Sequence, residues 1–200
     1  MDKDAFQIFG DNNDIEVHSA DSIGENVKIN IKGHGHTIKI EEGVILRNLI
    51  INISGQQSVL HIGKNANIRG AIHIRHFGSK VLIEKDFTAV GVQLFALEGK
   101  TISIGEDSMF SSGIIVRTSD EHPILDLNTG ERINHAKDVV VGKHVWVGEG
   151  ATLNKGADIP DGCIIGAKSF VSKKLSTPSS AYVGTPAKLS RENVLWKRKL

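Results

Sequence analysis

Large apolar residues recur every six positions in this chain, and this spacing constrains the fold more than any other feature. The longest series is Val141, Val147, Leu153, Ile159, Ile165 and Val171. Two shorter series with the same spacing are Ile62, Ile68, Ile74 and Ile104, Phe110, Val116. A fixed short period of this kind is typical of solenoids, in which each repeat packs only on its neighbours. The spacing therefore predicts stacked β-coils and not a sandwich of alternating strands.

Small residues occupy the positions between the apolar ones. Glycines recur at Gly142, Gly148 and Gly166, and a second small position holds Ala151, Ala157, Cys163 and Ser169. Each group of six residues is expected to form a short strand and a corner, with its aliphatic side chain pointing inward. A small residue fits the corner, where a longer side chain would clash. We therefore predict a triangular coil with three strands, and we expect Ile159→Asp to unfold several coils because a buried aliphatic side chain contributes about 1.5–3 kcal/mol.

A longer repeat divides the chain into coils. Five related phrases carry anchors spaced 22, 21, 21 and 37 residues apart, at Ile40, Ile62, Ile83, Ile104 and Val141. The long last interval predicts an inserted loop over residues 118–137. We expect an irregular N-terminal cap over residues 1–22, coils over 23–175, and a C-terminal segment over 176–200. Its end, from Ser190 through Lys197, Arg198 and Lys199, is expected to form a short end-cap helix with Ser190 as N-cap.

Composition excludes several classes of protein. The formal net charge of +1 argues against extensive nucleic-acid binding, which needs a strongly basic face. No apolar run approaches the roughly 18 residues of a membrane span, and the first residues lack the pattern of a signal peptide. The single cysteine, Cys163, excludes an internal disulfide and fits a reducing compartment. We expect an all-β, cytoplasmic protein, with Cys163 in a structural role.

The stretch from Ile104 to Glu192 resembles the hexapeptide-repeat acyltransferases, in the branch of galactoside, maltose and capsular-polysaccharide O-acetyltransferases. Besides the six-residue repeats, the resemblance rests on three motifs: Thr118-Ser-Asp-Glu-His122-Pro123, Val145-Trp146-Val147-Gly148, and Tyr182-Val-Gly-Thr-Pro186-Ala-Lys188. It implies a left-handed parallel β-helix and a homotrimer with active sites between subunits. It also implies acetyl-CoA as the acetyl donor, no metal, and a carbohydrate acceptor, with a bacterial surface polysaccharide or its precursor favoured.

His122 matches the catalytic histidine of the family. Acetyl transfer to a hydroxyl needs a base, and an imidazole with an ordinary pKa near 6.5 can accept the hydroxyl proton as attack begins. Pro123 also restricts the backbone of His122 away from the helical region. His135 and His144 are the alternatives by proximity in sequence. Four carboxylates of the inserted loop could orient His122, at Asp120, Glu121, Asp126 and Glu131, and the resemblance favours Glu131.

The resemblance also assigns the donor site. Trp146 matches a tryptophan that lies beside the catalytic histidine and borders the acetyl group or acceptor; packing at the trimer interface is its alternative role. Backbone contacts with the pantetheine arm are expected from Gly148, Glu149, Ala167 and Ser172. Lys168, Lys173, Lys188 and Arg191 are expected to bind the phosphates of CoA. The simpler interpretation is that they are ordinary charged residues on exposed corners of the solenoid. The early coils and the inserted loop are expected to form the acceptor pocket.

Other functions remain open at this point. A metal-dependent carbonic anhydrase on the same fold needs three histidines around zinc; His73 and His76 have a suggestive spacing, but no third ligand is evident. A non-catalytic solenoid scaffold would not need the inserted loop. Among transferases, the acceptor could instead be serine, an antibiotic or an amino sugar.

Overall fold

The computed structural model describes residues 5–199 and shows a parallel β-helix of about eight turns. Two sheets form its walls, and the described residues contain only one short 3-10 helix, Ala20–Ser22. Within that part of the chain, no helix has the length and hydrophobicity needed to cross a membrane.

The strands belong to a thirteen-stranded and a seven-stranded sheet. The first contains β1 (Phe6–Phe9), β3 (Val27–His34), β5 (Ile45–Gln56), β7 (Asn67–Arg75), β9 (Thr88–Ala96), β11 (Met109–Phe110), β12 (Ile114–Arg117), β14 (Trp146–Val147), β15 (Thr152–Leu153), β17 (Ile164–Ile165), β18 (Phe170–Val171), β19 (Ala181–Val183) and β20 (Lys188–Arg191). The second contains β2 (Asp14–Val17), β4 (Thr37–Ile40), β6 (Val59–Ile62), β8 (Lys80–Ile83), β10 (Thr101–Ile104), β13 (Val139–Val141) and β16 (Asp158–Ile159).

The thirteen-stranded sheet bends around one corner and so supplies two of the three faces of the coil. Strand β9 shows this bend, because Thr88 and Ala89 pair with β11 while Val92–Phe95 pair with β12. The seven-stranded sheet supplies the third face. We call the face of β11, β14 and β17 the first face, the face of β12, β15 and β18 the second, and the seven-stranded sheet the third.

The apolar series lines the inside of the helix, as predicted. The anchors Ile40, Ile62, Ile83, Ile104 and Val141 are direct register partners on successive strands. From Val141 to Val171 the residues of the longest series are at most 2% exposed. Cys163 and the other small corner residues are buried as well. Burial of these stacked rows of aliphatic side chains is the main force that stabilises the coils.

The inserted loop lies between Arg117 and Val139, at the corner that joins the second and third faces. Its middle folds back on itself in a short antiparallel bridge between Leu125 and Arg132. The Ile133 N–H also donates to the Ile124 carbonyl at 2.9 Å, and the Asp126 N–H to that of Glu131 at 2.8 Å. The loop is therefore a hairpin-like projection from one corner of the solenoid.

Two predictions about the ends are wrong. Residues 6–17 are not an irregular cap, because β1 and β2 pair in parallel with β3 and β4 and extend the coils; residues 1–4 lie outside the described part of the chain. The C-terminal helix is absent from residues 190–199. Strand β20, which includes Ser190, instead pairs antiparallel with β19. Contacts with the coils favour an extended chain over a helix there.

Candidate active site

Two buried hydroxyl groups fix the start of the inserted loop. The Oγ1 of Thr118 accepts from the Leu97 N–H at 2.8 Å, and the Oγ of Ser119 accepts from the Glu121 N–H at 2.8 Å. Ser119 also donates to Glu98, whose carboxylate receives both Nη atoms of Arg132, at 2.6 and 3.0 Å. Hydrogen bonds from Arg132 and Ser119 lower the pKa of Glu98 to about 2. This carboxylate therefore ties both ends of the loop to the preceding coil.

Asn134 holds the segment that carries the predicted base. Its Nδ2 donates to the His122 carbonyl and to Asp120 Oδ2, both at 2.9 Å. Its Oδ1 accepts from the Ile124 N–H at 2.7 Å. Asp120 also receives Lys155 Nζ at 2.5 Å, and this hydrogen bond from the ammonium lowers the pKa of Asp120. The backbone on both sides of Pro123 is therefore fixed by one amide side chain.

The His122 imidazole is exposed, and its ring makes no hydrogen bond to any other described residue. Its backbone is held, since its N–H donates to the Asp120 carbonyl at 2.8 Å. The side chain can therefore approach a substrate hydroxyl without breaking an existing contact. An exposed ring on a fixed backbone is a suitable arrangement for a general base.

None of the four candidate carboxylates bonds to His122 within residues 5–199. Asp120 is held by Lys155, Glu121 forms an ion pair with Arg75 at 2.7 Å, and Asp126 accepts backbone N–H groups of its own loop. Glu131, the favoured orienter, lies exposed on the far arm of the hairpin. The orienting role of Glu131 stays a prediction.

The other two histidine candidates differ in their contacts. His135 is exposed on the same loop. In His144, both ring nitrogens are occupied: Nδ1 lies 2.6 Å from Asp107 Oδ2, and Nε2 lies 3.2 Å from the Trp196 carbonyl. His144 is therefore a structural residue in this fold.

Trp146 begins β14 on the first face and is 36% exposed. Its Nε1 lies 3.5 Å from Ser111 Oγ, and its ring lies 6.3 Å from that of Trp196, measured between centroids. Trp196 stacks on His144 at 4.1 Å and donates its indole N–H to the His144 carbonyl at 2.8 Å. The indole of Trp146 thus projects from the coil beside a second, buried tryptophan.

Trp196 belongs to the C-terminal tail, residues 192–199, which runs along the corner between the third and first faces. Val194 donates to the Ser179 carbonyl at 2.8 Å, and Arg198 reaches the corner beside Asp107. The Arg198 guanidinium bonds Asp107 Oδ1 at 2.8 Å and Thr88 Oγ1 at 2.7 Å. Burial opposes it, but hydrogen bonds from Arg198 and His144 lower the pKa of Asp107. The ion pair between Arg198 and Asp107 and the stacking of Trp196 on His144 therefore hold the tail on the coils.

His122 and Trp146 lie at different corners of the chain. The loop of His122 leads into the start of β13, whereas Trp146 follows the end of that strand around the next corner. The third face separates the two side chains. One chain therefore presents both residues, but on opposite edges of the same face.

Four predicted donor-site residues share one corner, between the first and second faces. Gly148 and Glu149 follow β14, and Ala167 and Lys168 follow β17 directly beside them, where the Lys168 N–H donates to the Glu149 carbonyl at 2.7 Å. A Cβ at Gly148 would lie 2.7 Å from the Ala167 nitrogen, so only glycine fits this approach. Thr185, from the Gly-Thr-Pro motif, donates to the Lys168 carbonyl at 3.3 Å.

The remaining donor-site residues lie elsewhere. Ser172 and Lys173 follow β18 at the corner of the inserted loop, while Lys188 and Arg191 lie on β20. Lys168, Lys173, Lys188 and Arg191 are all exposed, and none has a carboxylate within 4 Å in the described chain. These cations are available for an anionic ligand, but the single chain does not gather them at one point.

Within residues 5–199, no group of three histidine, cysteine or acidic side chains is arranged to hold a metal ion. His73 and His76 have separate contacts: the His73 ring stacks on Phe95 at 5.0 Å, and His76 Nδ1 accepts from the Glu98 N–H at 3.1 Å. Burial raises the pKa of the Cys163 thiol, which makes it a poor nucleophile.

The sequence did not point to Asn134, and it placed the tail residues Trp196 and Arg198 in a helix that does not form. Nothing in the repeat pattern marks Asn134, because its partners, two backbone groups and Asp120, all belong to an irregular loop. Trp196 carried a usable signal: it is one of only two tryptophans in the chain, and it lies outside the repeats.

No protein-family model matches the chain. A polysialic acid O-acetyltransferase of Neisseria meningitidis is 32% identical over 191 residues, which is 96% of this chain and 88% of the relative. The crystal structure of the polysialic acid O-acetyltransferase OatWY matches with a TM-score of 0.87 and 30% identity, over 98% of this chain and 92% of that one. The polySia-specific acetyltransferase NeuO matches with a TM-score of 0.85 and 30% identity, over 98% and 91%.

These matches cover the early coils as well as the repeats, and they agree with the left-handed parallel β-helix that the resemblance implied. The chain is an acyltransferase and belongs to the hexapeptide-repeat O-acetyltransferases, in the branch that contains the polysialic acid O-acetyltransferases.

Proposed function

We propose that this enzyme transfers the acetyl group of acetyl-CoA to a hydroxyl of a bacterial surface polysaccharide, with His122 as general base. One observation carries the assignment of the base. His122 is the histidine of the family motif, and its ring is exposed and unbonded within the described chain while hydrogen bonds to Asn134 and Asp120 fix its backbone.

In the proposed reaction, His122 accepts the proton of the acceptor hydroxyl as the oxygen attacks the thioester carbonyl. A C–O bond forms, the C–S bond breaks, and His122 returns the proton to the departing sulfur. This chain's own contribution is to hold the backbone of His122 in place through Asn134. Base catalysis of this kind contributes about 10²–10⁴-fold to the rate.

The exposed corner residues and cations of the chain suit a CoA thioester. Glu149, Ala167 and Ser172 are exposed on corners of the coil, where a pantetheine arm could lie against them, whereas Gly148 is buried and lets the neighbouring corner approach closely. Lys168, Lys173, Lys188 and Arg191 are cations without carboxylate partners among the described residues, which suits phosphate groups.

A homotrimer, with each site formed between two subunits, is part of this proposal. His122 and Trp146 lie on opposite edges of the third face, so a neighbouring copy could place its Trp146 beside this chain's loop. A cytoplasmic site of action completes the proposal.

The relatives indicate which acceptor to test first. Both the Neisseria meningitidis enzyme and the two solved enzymes are named for polysialic acid. We therefore propose polysialic acid, or a related anionic surface polysaccharide, as the acceptor. Serine, an antibiotic and an amino sugar remain alternative acceptors for the same screen.

The test measures how much CoA thiol is released from acetyl-CoA when polysialic acid is added as the acceptor. It compares the wild type, His122→Ala and His135→Ala. His135 is an exposed histidine of the same loop and serves as the matched control. We expect His122→Ala to lower kcat by a hundredfold or more, on the order of 3 kcal/mol, with CoA affinity unchanged. Equal losses in both variants, or none in His122→Ala, would remove His122 from this role.

A further inference from the structure

Outward side chains of the second face form a registered column that ends at the inserted loop. Successive strands place these residues side by side as direct register partners. The column consists of Gln7, Asn30, Asn52, His73, Phe95 and Arg117. Arg117 is the last residue of β12 and immediately precedes the loop that carries His122.

Contacts between neighbouring side chains make this column continuous from Asn30 to Arg117. Asn30 Nδ2 donates to Asn52 Oδ1 at 2.8 Å, and Asn52 Nδ2 lies 3.3 Å from His73 Nδ1. His73 stacks on Phe95 with an angle of 11° between the ring planes, and the Arg117 guanidinium lies 5.4 Å from the Phe95 ring centroid. Burial and the nearby charge of Arg75 lower the pKa of His73, which favours the neutral form of its ring.

A second column runs beside the first. Phe9, Lys32, Ser54 and Arg75 are register partners on β1, β3, β5 and β7. Lys32 Nζ lies 5.9 Å from the Phe9 ring centroid, and Phe9 is 60% exposed. A groove of about 450 Å³ lies over the far end of the columns, lined by Gln7, Asn30 and Asn52 of the first and by Phe9, Lys32 and Ser54 of the second.

The chemistry of the two columns suits a sugar polymer of negative charge. Side-chain amides pair with hydroxyl and carbonyl groups, and aromatic rings pack on the C–H faces of sugar rings. The columns contain lysine and arginine but no acidic residue, so their potential favours an anion. Five steps between coils, each about 4.8 Å, give the first column a length of about 24 Å. This length exceeds that of one sugar unit.

We propose that this face binds several consecutive units of an anionic polysaccharide and leads one of them to His122. The inference rests on the proposed function, because it assigns the acceptor chain of that reaction to these coils. The loop end of the columns is tied to the base, since Arg75 forms its ion pair with Glu121, the residue before His122. The far end, at Phe9 and Lys32, contacts only chains long enough to reach it.

The test uses the full chain and two acceptors: long polysialic acid and a short sialic acid oligosaccharide. The variants are Phe9→Ala and Lys32→Ala, both at the far end. The control is Lys80→Ala, an exposed lysine on the third face. Binding of each acceptor is measured by titration calorimetry at two salt concentrations, the mass of the assembly by light scattering, and transfer by CoA release.

We expect Phe9→Ala and Lys32→Ala each to weaken binding of the long chain about two- to fivefold, the loss of one exposed contact. Their binding of the short acceptor and their KM for acetyl-CoA should match those of Lys80→Ala. The affinity of the wild type for the long chain should fall as salt screens the charges.

The inference is overturned if the far-end variants bind the long chain as Lys80→Ala does. It is also overturned if they change the mass of the assembly, because the face would then be an interface between copies. A failure of the proposed function would give a different result. The wild type would then release no CoA with any polysaccharide, and this outcome does not depend on what the far-end variants bind.

Discussion

The imidazole of His144 lies parallel to the indole of Trp196, with 4.1 Å between their centroids and 9° between their planes. Hydrogen bonds run in both directions between these residues, from the indole N–H to the His144 carbonyl and between His144 Nε2 and the Trp196 carbonyl. The stack holds the C-terminal tail on the coils, next to Trp146.

Replacement of Trp196 by alanine should therefore loosen the tail and the environment of Trp146. Trp196 is 5% exposed, and removal of a buried aromatic ring costs about 3 kcal/mol. Urea unfolding measures the stability, and near-ultraviolet circular dichroism reports on Trp146. The neighbouring Leu195 is 75% exposed, so Leu195→Ala should change neither signal. Similar behaviour of the two variants would mean that the stack adds nothing to stability.

Asn134→Ala should lower kcat while leaving the affinity for CoA unchanged. Asn134 holds the His122 carbonyl and the Ile124 N–H, and small displacements of a catalytic group can cost about a hundredfold in rate. We expect a loss of roughly ten- to a hundredfold in steady-state assays. Asn128→Ala, at the exposed turn of the same hairpin, is the control. A wild-type rate for Asn134→Ala would show that the loop needs no such clamp.

The ion pair between Glu98 and Arg132 should make stability depend on pH in the acid range. The pKa of Glu98 is lowered to about 2 in the fold, below its ordinary value near 4.5. Its contribution is therefore complete above pH 4.5 and is lost as the pH falls towards 2. Glu98→Gln should lower the melting temperature at pH 7, and the gap to the wild type should narrow between pH 4.5 and pH 2. A gap that stays constant with pH would contradict an ionic origin.

Ile159→Asp should unfold several coils, whereas Val140→Asp should be tolerated. Ile159 is 1% exposed and points into the core, while Val140 is 41% exposed on the adjacent strand. An unpaired charge inside the helix costs several kcal/mol, but the same charge outside remains in water. Circular dichroism and soluble yield measure the difference. Equal stability of both variants would contradict the inward register of β16.

The sequence predicted the coils because one physical requirement repeats in each of them. The large inward positions need apolar side chains, so Ile62, Ile83 and Ile104 mark the coils directly. The inserted loop was visible as the one long interruption of this pattern. The first coils were harder to recognise, since β1 and β2 present fewer fully buried residues than the later strands.

The parts that could not be predicted depend on contacts between distant residues. The tail was expected to be a helix because its local sequence offers a cap and suitable charges. In the fold, Arg198 instead finds Asp107 and Thr88, at separations of 91 and 110 residues. The contacts of Asn134 were equally hidden, because two of its partners are backbone groups that any residue provides.

A stack of coils joined only to their neighbours can fray from either end, one turn at a time. The tail changes this behaviour, because it fastens the corners at Ser179, His144 and Asp107 to one continuous strip of chain. No coil in that span can unfold by itself while the tail remains bound to it. The carboxyl-terminal half of the solenoid should therefore open as one cooperative unit, with Trp146 kept in place until that unit gives way.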